Sequence, residues 1–290
     1  MYKIITEIYV LLDEFCKLYE QEIKHYLLAN SRKRKPTRLP RLSTAEILTI
    51  LVCYSFSGYK NFKLYYQQGI SKKDFPNLVT YERFVQLMPR HLFIMNCCLQ
   101  SLCATETNNY FIDSTCIPVC HNKRINSNKV FKGIAKIGKS TKGWFFGVKL
   151  HLIINTKGEI MNMMLTKGDK SDVSAVEQLA KCLMGKLYGD KGYISSLLFN
   201  RLFSKGLQLI TSIKKNMKKK LMSVYDKVML RKRSLIETVF DLLKNKFNLE
   251  HTRHRSPVNF IVHIISTLIA YCLRKSKPSI KFPHQQLASA

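Results

Sequence analysis

The chain has 290 residues, 46 % of them hydrophobic, enough for one large domain or two smaller ones around a substantial core, which excludes wholesale disorder. Lysine and arginine number 48 against 19 aspartates and glutamates, a formal net charge of +29. Such an excess repels itself and is best explained by a polyanionic partner, nucleic acid first and an anionic membrane surface second.

The N-terminal stretch MYKIITEIYVLLDEFCKLYEQ repeats its apolar residues at helical spacing and carries Glu7, Asp13 and Glu14, so it reads as an amphipathic helix and not as a signal peptide. The basic stretch SRKRKPTRLPR follows, with two prolines that forbid regular helix. Ser43-Thr44-Ala45-Glu46 offers a capping box ahead of the apolar run ILTILVCYSF, and DFPNLVTYERFVQLMPR predicts a turn and a further helix stopped near Pro89. Residues 1–105 thus form an α-helical N-terminal domain. Its basic linker and turn suit a DNA-end-binding module, and the same order suits a plain helical bundle.

From Asn108 the texture changes. Tyr110–Thr115 reads as a short strand, KVFKGIAKIGKSTKG as a basic loop, and WFFGVKLHLIIN with EIMNMMLTKG as a hairpin closed at Asn155–Gly158. A helix from about Asp172 to Cys182 leads to a strand at Lys186–Asp190, then a helix (SSLLFNRLF), a strand (LQLIT), the lysine run KKNMKKK and helices over about 228–247 and 258–273. The run Phe260–Leu273 is too short to span a bilayer and reads as a buried helix. This is a mixed α/β order, with the catalytic domain drawn at 106–280 and a tail at 281–290. The nine cysteines include no CxxC pair, which favours a reducing compartment; Cys116, Cys120 and His121 lack the second half of a metal cluster.

Three acids stand out. Asp113 closes the first strand and Asp190 a later one, and sites in α/β sheets form beyond the carboxyl ends of strands. The two share a rim only if their strands are neighbours. Glu237 falls on one helical stripe with Leu230, Arg233, Asp241 and Lys244, while Leu235, Ile236, Val239, Leu242 and Leu243 spread around the other side. That stripe faces either a cleft or solvent, the latter with an Arg233–Glu237 ion pair. Alternation on WFFGVKLHLIIN puts Lys149 and His151 on the side opposite Val148, Leu150 and Leu152, where they line a cleft or make a structural hydrogen bond. Trp144 is a base-stacking residue or an anchor, and the lysines over 214–220 are a phosphate-contacting or merely solvated loop.

The blocks FIDST, GDKGYIS and RKRSLIETVFDLLK, in that order, resemble those of a bacterial insertion-sequence transposase of the DDE type. IPVCHNKR, VFKGIAKIGKSTKGWFFGVKLHL, GLQLITSIKKNMK and HTRHRSPVNF are similar to the insertion-sequence-982 family in particular. The resemblance covers about residues 108–280. It implies a ribonuclease H-like mixed sheet flanked by helices. It also implies an acidic triad of Asp113, Asp190 and Glu237 that binds two Mg²⁺ ions, with Mn²⁺ able to substitute. Of the Tyr-x2-Arg-x3-Glu-x6-Lys pattern common around the glutamate, Arg233, Glu237 and Lys244 fit, and Leu230 stands at the tyrosine position.

On that resemblance the expected reactions are water-driven cleavage at the element's inverted-repeat ends and transfer of the freed 3′-hydroxyl into target DNA. Lys191 and Tyr193 would meet the DNA beside the scissile bond, with Gly192 permitting the tight turn. Arg233 and Lys244 would hold phosphates or form intrahelical ion pairs. The partners implied are element-end and target DNA and at least a homodimer on DNA, with no membrane. The implied location is the cytoplasm, associated with the bacterial nucleoid. The competing readings are a DNA-binding protein derived from a transposase without catalysis, and a related metal-dependent nuclease.

Overall fold

The computed structural model describes residues 2–30, 40–105, 107–141, 143–213, 221–250 and 254–280. Its main helices are α1 (Tyr2–Asn30), α2 (Thr44–Phe56), α3 (Phe62–Leu64), α4 (Tyr81–Leu87), α5 (Leu92–Leu102), α6 (Val173–Leu179), α7 (Ser196–Phe203), α8 (Val224–Lys232), α9 (Ser234–Asp241) and α10 (Pro257–Leu273). The strands are β1 (Asn109–Pro118), β2 (Lys136–Ser140), β3 (Gly143–Asn155), β4 (Ile160–Lys167), β5 (Gly185–Gly189) and β6 (Leu207–Thr211). The chain divides into two compact units, one made of residues 1–102, 126–132 and 242–274, the other of 103–125, 133–241 and 275–290.

The first unit is helical. The capping box before α2 is formed: Ser43 Oγ accepts from the Glu46 amide at 3.1 Å, and the Ser43 amide donates to Glu46 Oε2 at 2.6 Å. Pro89 ends α4 as expected, but it sits in a 3₁₀ turn, Met88–His91, that runs straight into α5. The boundary expected at residue 105 leaves α10 with the catalytic part, whereas α10 groups with the N-terminal helices. The reason lies in its composition. Residues around the whole circumference of α10 are buried, among them Phe260, Ile264, Leu268 and Tyr271, so it needs helical neighbours on every side. The basic stretch over 31–39 and the lysine run over 214–220 lie outside the described residues.

The second unit is built on one sheet, in the order β2-β3-β1-β5-β6, with β4 also pairing β3. β1 runs antiparallel to β3, and β3 antiparallel to both β2 and β4. β5 is parallel to β1, and β6 to β5. Antiparallel strands first, then parallel strands added on the other side of β1 through helical crossovers, is the ribonuclease H-like arrangement.

One face of the sheet packs Tyr110, Ile112, Ile153, Leu187 and Leu209 against Val176 and Leu179 of α6 and Leu198 and Leu202 of α7. Strand alternation sends Phe111 and Tyr188 to the opposite side, where their rings lie 5.8 Å apart. α8 is tied to β5 through Asp226, which accepts from Lys186 Nζ and the Tyr188 hydroxyl, both at 2.8 Å. The β1–β3 pairing is so close at Gly147 that a Cβ there would meet the Ile117 carbonyl oxygen at 2.1 Å.

The hairpin closes at the expected turn. Asn155 Oδ1 accepts from the Lys157 and Glu159 amides, and Gly158 takes φ of 70°. β2 is a departure, since its residues KIGKS read as loop. The strand exists because β3 supplies a full row of partners from Gly143 to Gly147, not because lysine and glycine favour it. The helix expected over about 228–247 is also broken, into α8, α9 and a π-helical turn (Leu242–Lys246), with the first break at Arg233.

Candidate active site

The parallel pairing of β1 and β5 settles where two of the acids emerge. Phe111 faces Tyr188 across the ladder, and Asp113 and Asp190 each lie two residues further on. Asp190 follows the carboxyl end of β5, whereas Asp113 does not close its strand as expected: β1 continues to Pro118 and Asp113 is still paired with Leu152 of β3, just past the point where the pairing with β5 ends. Asp190 then caps a 3₁₀ turn, Lys191–Tyr193, its Oδ1 accepting from the Gly192 amide at 2.8 Å. The turn does not use glycine's freedom as expected: Gly192 is not in the left-handed region, and a Cβ there would meet nothing within 4 Å. The constrained glycine is Gly189, whose absent Cβ leaves room for the Tyr193 ring and Ile112, only 3.1 and 3.3 Å from where it would stand.

The third acid arrives on α9, which packs against β1. Arg233, at the break before α9, reaches back with one guanidinium nitrogen 3.0 Å from Asp113 Oδ2 and the other 2.9 Å from Glu237 Oε1. One planar cation thus bridges two carboxylates, one 120 positions before it in sequence and one four positions after it. Burial pushes the Asp113 carboxyl above its ordinary range, and the charge of Asp190 adds to that; the Ser114 amide and Arg233 pull it back. Asp190 and Glu237 are exposed.

A fourth carboxylate, Asp172, stands beside this group and was read from the sequence only as a helix start. It does not cap α6. Its Oδ1 accepts from Ser114 Oγ at 2.9 Å and from Lys149 Nζ at 3.1 Å, so it is held by β1 and β3. Its signal lay in Lys149, a lone cation inside an apolar strand, which has to find an anion.

Of the two readings of the polar side of β3, a cleft lining or structural hydrogen bonds, the structure contains the hydrogen bonds, and both sides of that strand are covered. His151 is fully buried, with Nε2 2.8 Å from Thr166 Oγ1, and burial lowers its pKa to about 4. Tyr193 is also buried, and its phenol is pushed up by burial and then by Asp113, Asp172 and Asp190. Lys191 is exposed at the turn. Trp144 is exposed beneath Lys139, whose Nζ is 5.7 Å from the ring. Lys244 belongs to the helical unit and pairs with Glu250.

Asp113, Asp190 and Glu237 offer only carboxylate oxygen, the donor that hard divalent cations prefer. Among the described residues no group of three or more His, Cys, Asp or Glu side chains stands ready to enclose a metal. The positive charge that two of these acids hold is the Arg233 guanidinium.

The sequence over residues 103–257 matches the family described as the transposase DDE domain. No curated protein is similar enough to the chain to match it. Among solved structures, the chain is similar to the piggyBac transposase synaptic complex with hairpin DNA, at 10 % identity and a TM-score of 0.47, covering 93 % of this chain and 72 % of that one. It is also similar to a pre-cleavage Mos1 transpososome, at 11 % identity and a TM-score of 0.25, covering 88 % and 86 %. At such low identity these likenesses add nothing to the family match. That match spans over half of the chain and includes β1, β5 and α9 with their acids, so the chain belongs to the transposase DDE domain family.

Proposed function

We propose that the chain is the transposase of an insertion sequence of the insertion-sequence-982 type, and that it cuts and joins DNA at the element's inverted-repeat ends. The observation that carries this reading is Arg233 bridging Asp113 and Glu237, while Asp190 leaves the strand next to that of Asp113. Acids gathered at one sheet rim in so basic a chain need a cationic ligand.

Asp113, Asp190 and Glu237 would hold two divalent cations, Mg²⁺ or Mn²⁺, which activate the attacking oxygen and steady the leaving one. Asp113 would be the central ligand. It is the most enclosed of the three, and its burial leaves it in need of positive charge. Arg233, once released from the carboxylates, carries its two parallel donors to a DNA phosphate. Lys191 contacts the backbone beside the scissile bond, and Lys244 contributes a further phosphate contact. Lys149, His151 and Tyr193 act as positioning residues behind the rim, through Asp172 and Ser114.

Two reactions follow at one site. Water attacks the phosphodiester at the element end, leaving a 3′-hydroxyl on one fragment and a 5′-phosphate on the other. That hydroxyl then attacks a target phosphodiester, so one such bond replaces another without an external energy source. Holding two ends together requires at least a dimer on DNA.

The test is cation-dependent cleavage of a labelled element-end duplex, followed by joining of pre-cut 3′-hydroxyl ends to target DNA. Cutting and joining that vanish in Asp113→Asn, Asp190→Asn and Glu237→Gln support the reading. Cutting without joining would make the chain a nuclease, and binding alone a DNA-binding derivative.

A further inference from the structure

The helical unit contains a cavity of about 680 Å³, in the size range of small-molecule and nucleotide sites. Its walls come from α2, the α3 turn, α4, the segment before α10 and α10 itself. Three aromatic rings stand in them. Phe62 meets Tyr54 edge-on at 5.2 Å and lies 6.4 Å from Tyr81. Lys63 Nζ is 5.7 Å from the Tyr81 ring, and Arg255 lines the same cavity close enough to bear on the Tyr81 phenol.

No aspartate or glutamate is among the described residues of the lining; Glu82, beside Tyr81, is the nearby acid. In the same wall the Tyr54 hydroxyl and Asn259 Oδ1 are shut off from solvent without a hydrogen-bond partner. Burial pushes the Tyr54 phenol up to about 12, so at neutral pH it remains a donor, while Asn259 Oδ1 is an acceptor.

Aromatic faces and two cations match a flat heterocycle that carries a phosphate. We propose that this cavity receives one unstacked nucleotide of a bound DNA strand, its base against Phe62 and Tyr81 and its phosphate at Lys63 and Arg255. A strand of DNA is favoured over a free nucleotide because the whole chain, at +29, is built for a long polyanion. The proposal rests on the reading of the chain as a DNA transposase and adds a contact to single-stranded or locally opened DNA.

The experiment measures binding of the full chain to a labelled single-stranded oligonucleotide and to its duplex, across a salt series. Stacking on Tyr81 predicts that Tyr81→Ala weakens single-strand binding roughly tenfold or more and leaves duplex binding nearly unchanged, while Tyr81→Phe retains both. Lys63→Ala should lower the single-strand salt slope by about 0.7. Circular dichroism of each variant guards against loss of fold, and Tyr81→Phe holds the packing constant. If Tyr81→Ala leaves single-strand binding intact, or weakens both substrates alike, the cavity is not a base site, and the transposase reading stands untouched. If the wild type binds neither DNA, both readings fall. If free deoxyadenosine monophosphate occupies the cavity and excess oligonucleotide does not displace it, the ligand is a free nucleotide and the proposal is overturned.

Discussion

His151 gives the second unit a built-in acid sensitivity. Its ring is completely buried on β3, and its pKa is lowered from 6.5 to about 4, first by burial and then by Lys149, against an opposing pull from Asp172. A base whose folded pKa is depressed adds stability above the unfolded value and loses it as pH falls, because the unfolded chain binds the proton first. With 6.5 unfolded and about 4 folded, the loss is near zero above pH 7. It reaches about 2 kcal/mol at pH 5 and roughly 3 kcal/mol below pH 4.

The perturbation is His151→Gln, which removes the titrating ring and keeps a polar group for Thr166 Oγ1. The assay is urea unfolding followed by the emission of Trp144, the chain's single tryptophan, which sits on the same strand. At pH 7.5 the variant should be less stable by about 1–2 kcal/mol from lost packing. Between pH 7.5 and 5 the wild type should lose about 2 kcal/mol more than the variant, so the curves converge. Carboxylates titrating in both proteins cancel in the difference. Parallel curves would refute the reasoning.

Arg233→Gln should cost roughly 2 kcal/mol without divalent cations, less than the ~3–5 kcal/mol of a fully buried pair, because Arg233 and Asp113 keep 21 % and 23 % exposure. Adding Mg²⁺ should stabilise that variant more than the wild type in thermal melts, since no guanidinium must be displaced. Asp190→Asn should reduce strand cleavage by more than about 100-fold while leaving DNA binding and the melting curve unchanged, because the amide oxygen can still cap the turn at Gly192. Gly147→Ala should destabilise the second unit by at least ~3 kcal/mol, seen as insoluble expression or lost Trp144 cooperativity, since its Cβ has nowhere to go against the Ile117 carbonyl.

Much of the architecture is legible because burial imposes period. The strands Gly185–Gly189 and Leu207–Thr211 and the apolar start of Asn109–Pro118 lie next to turn residues, while the second half of that strand, past Asp113, is held by its pairing with β3; the hairpin turn carries its own Asn and Gly. Where the reading departs, a neighbour decides. β2 has little propensity of its own and is made by β3. The grouping of α10 with the N-terminal helices is invisible to a scan along the chain, because nothing in its sequence says which helices will surround it. The side-chain alternation of β3 names two faces but not what covers them, and here both are covered, which is why Lys149 and His151 point into structure.

The acids show the same division more sharply. Motif order suggested Asp113, Asp190 and Glu237, and register now explains how two of them share a rim: each lies two residues past a paired position on parallel neighbours. Helix spacing offered an Arg233–Glu237 pair as the bland alternative to a cleft-facing stripe, and the structure contains that pair. The opposition between the two was false. Arg233 holds Glu237 along the helix and Asp113 across to the sheet with the same guanidinium, so an ordinary i,i+4 ion pair doubles as the link between distant carboxylates. Carboxylates crowded at one rim repel one another unless a cation sits between them. Without a metal, the chain meets that requirement with an arginine four residues before the glutamate. A cation that bound Asp113 and Glu237 would compete with Arg233 for both.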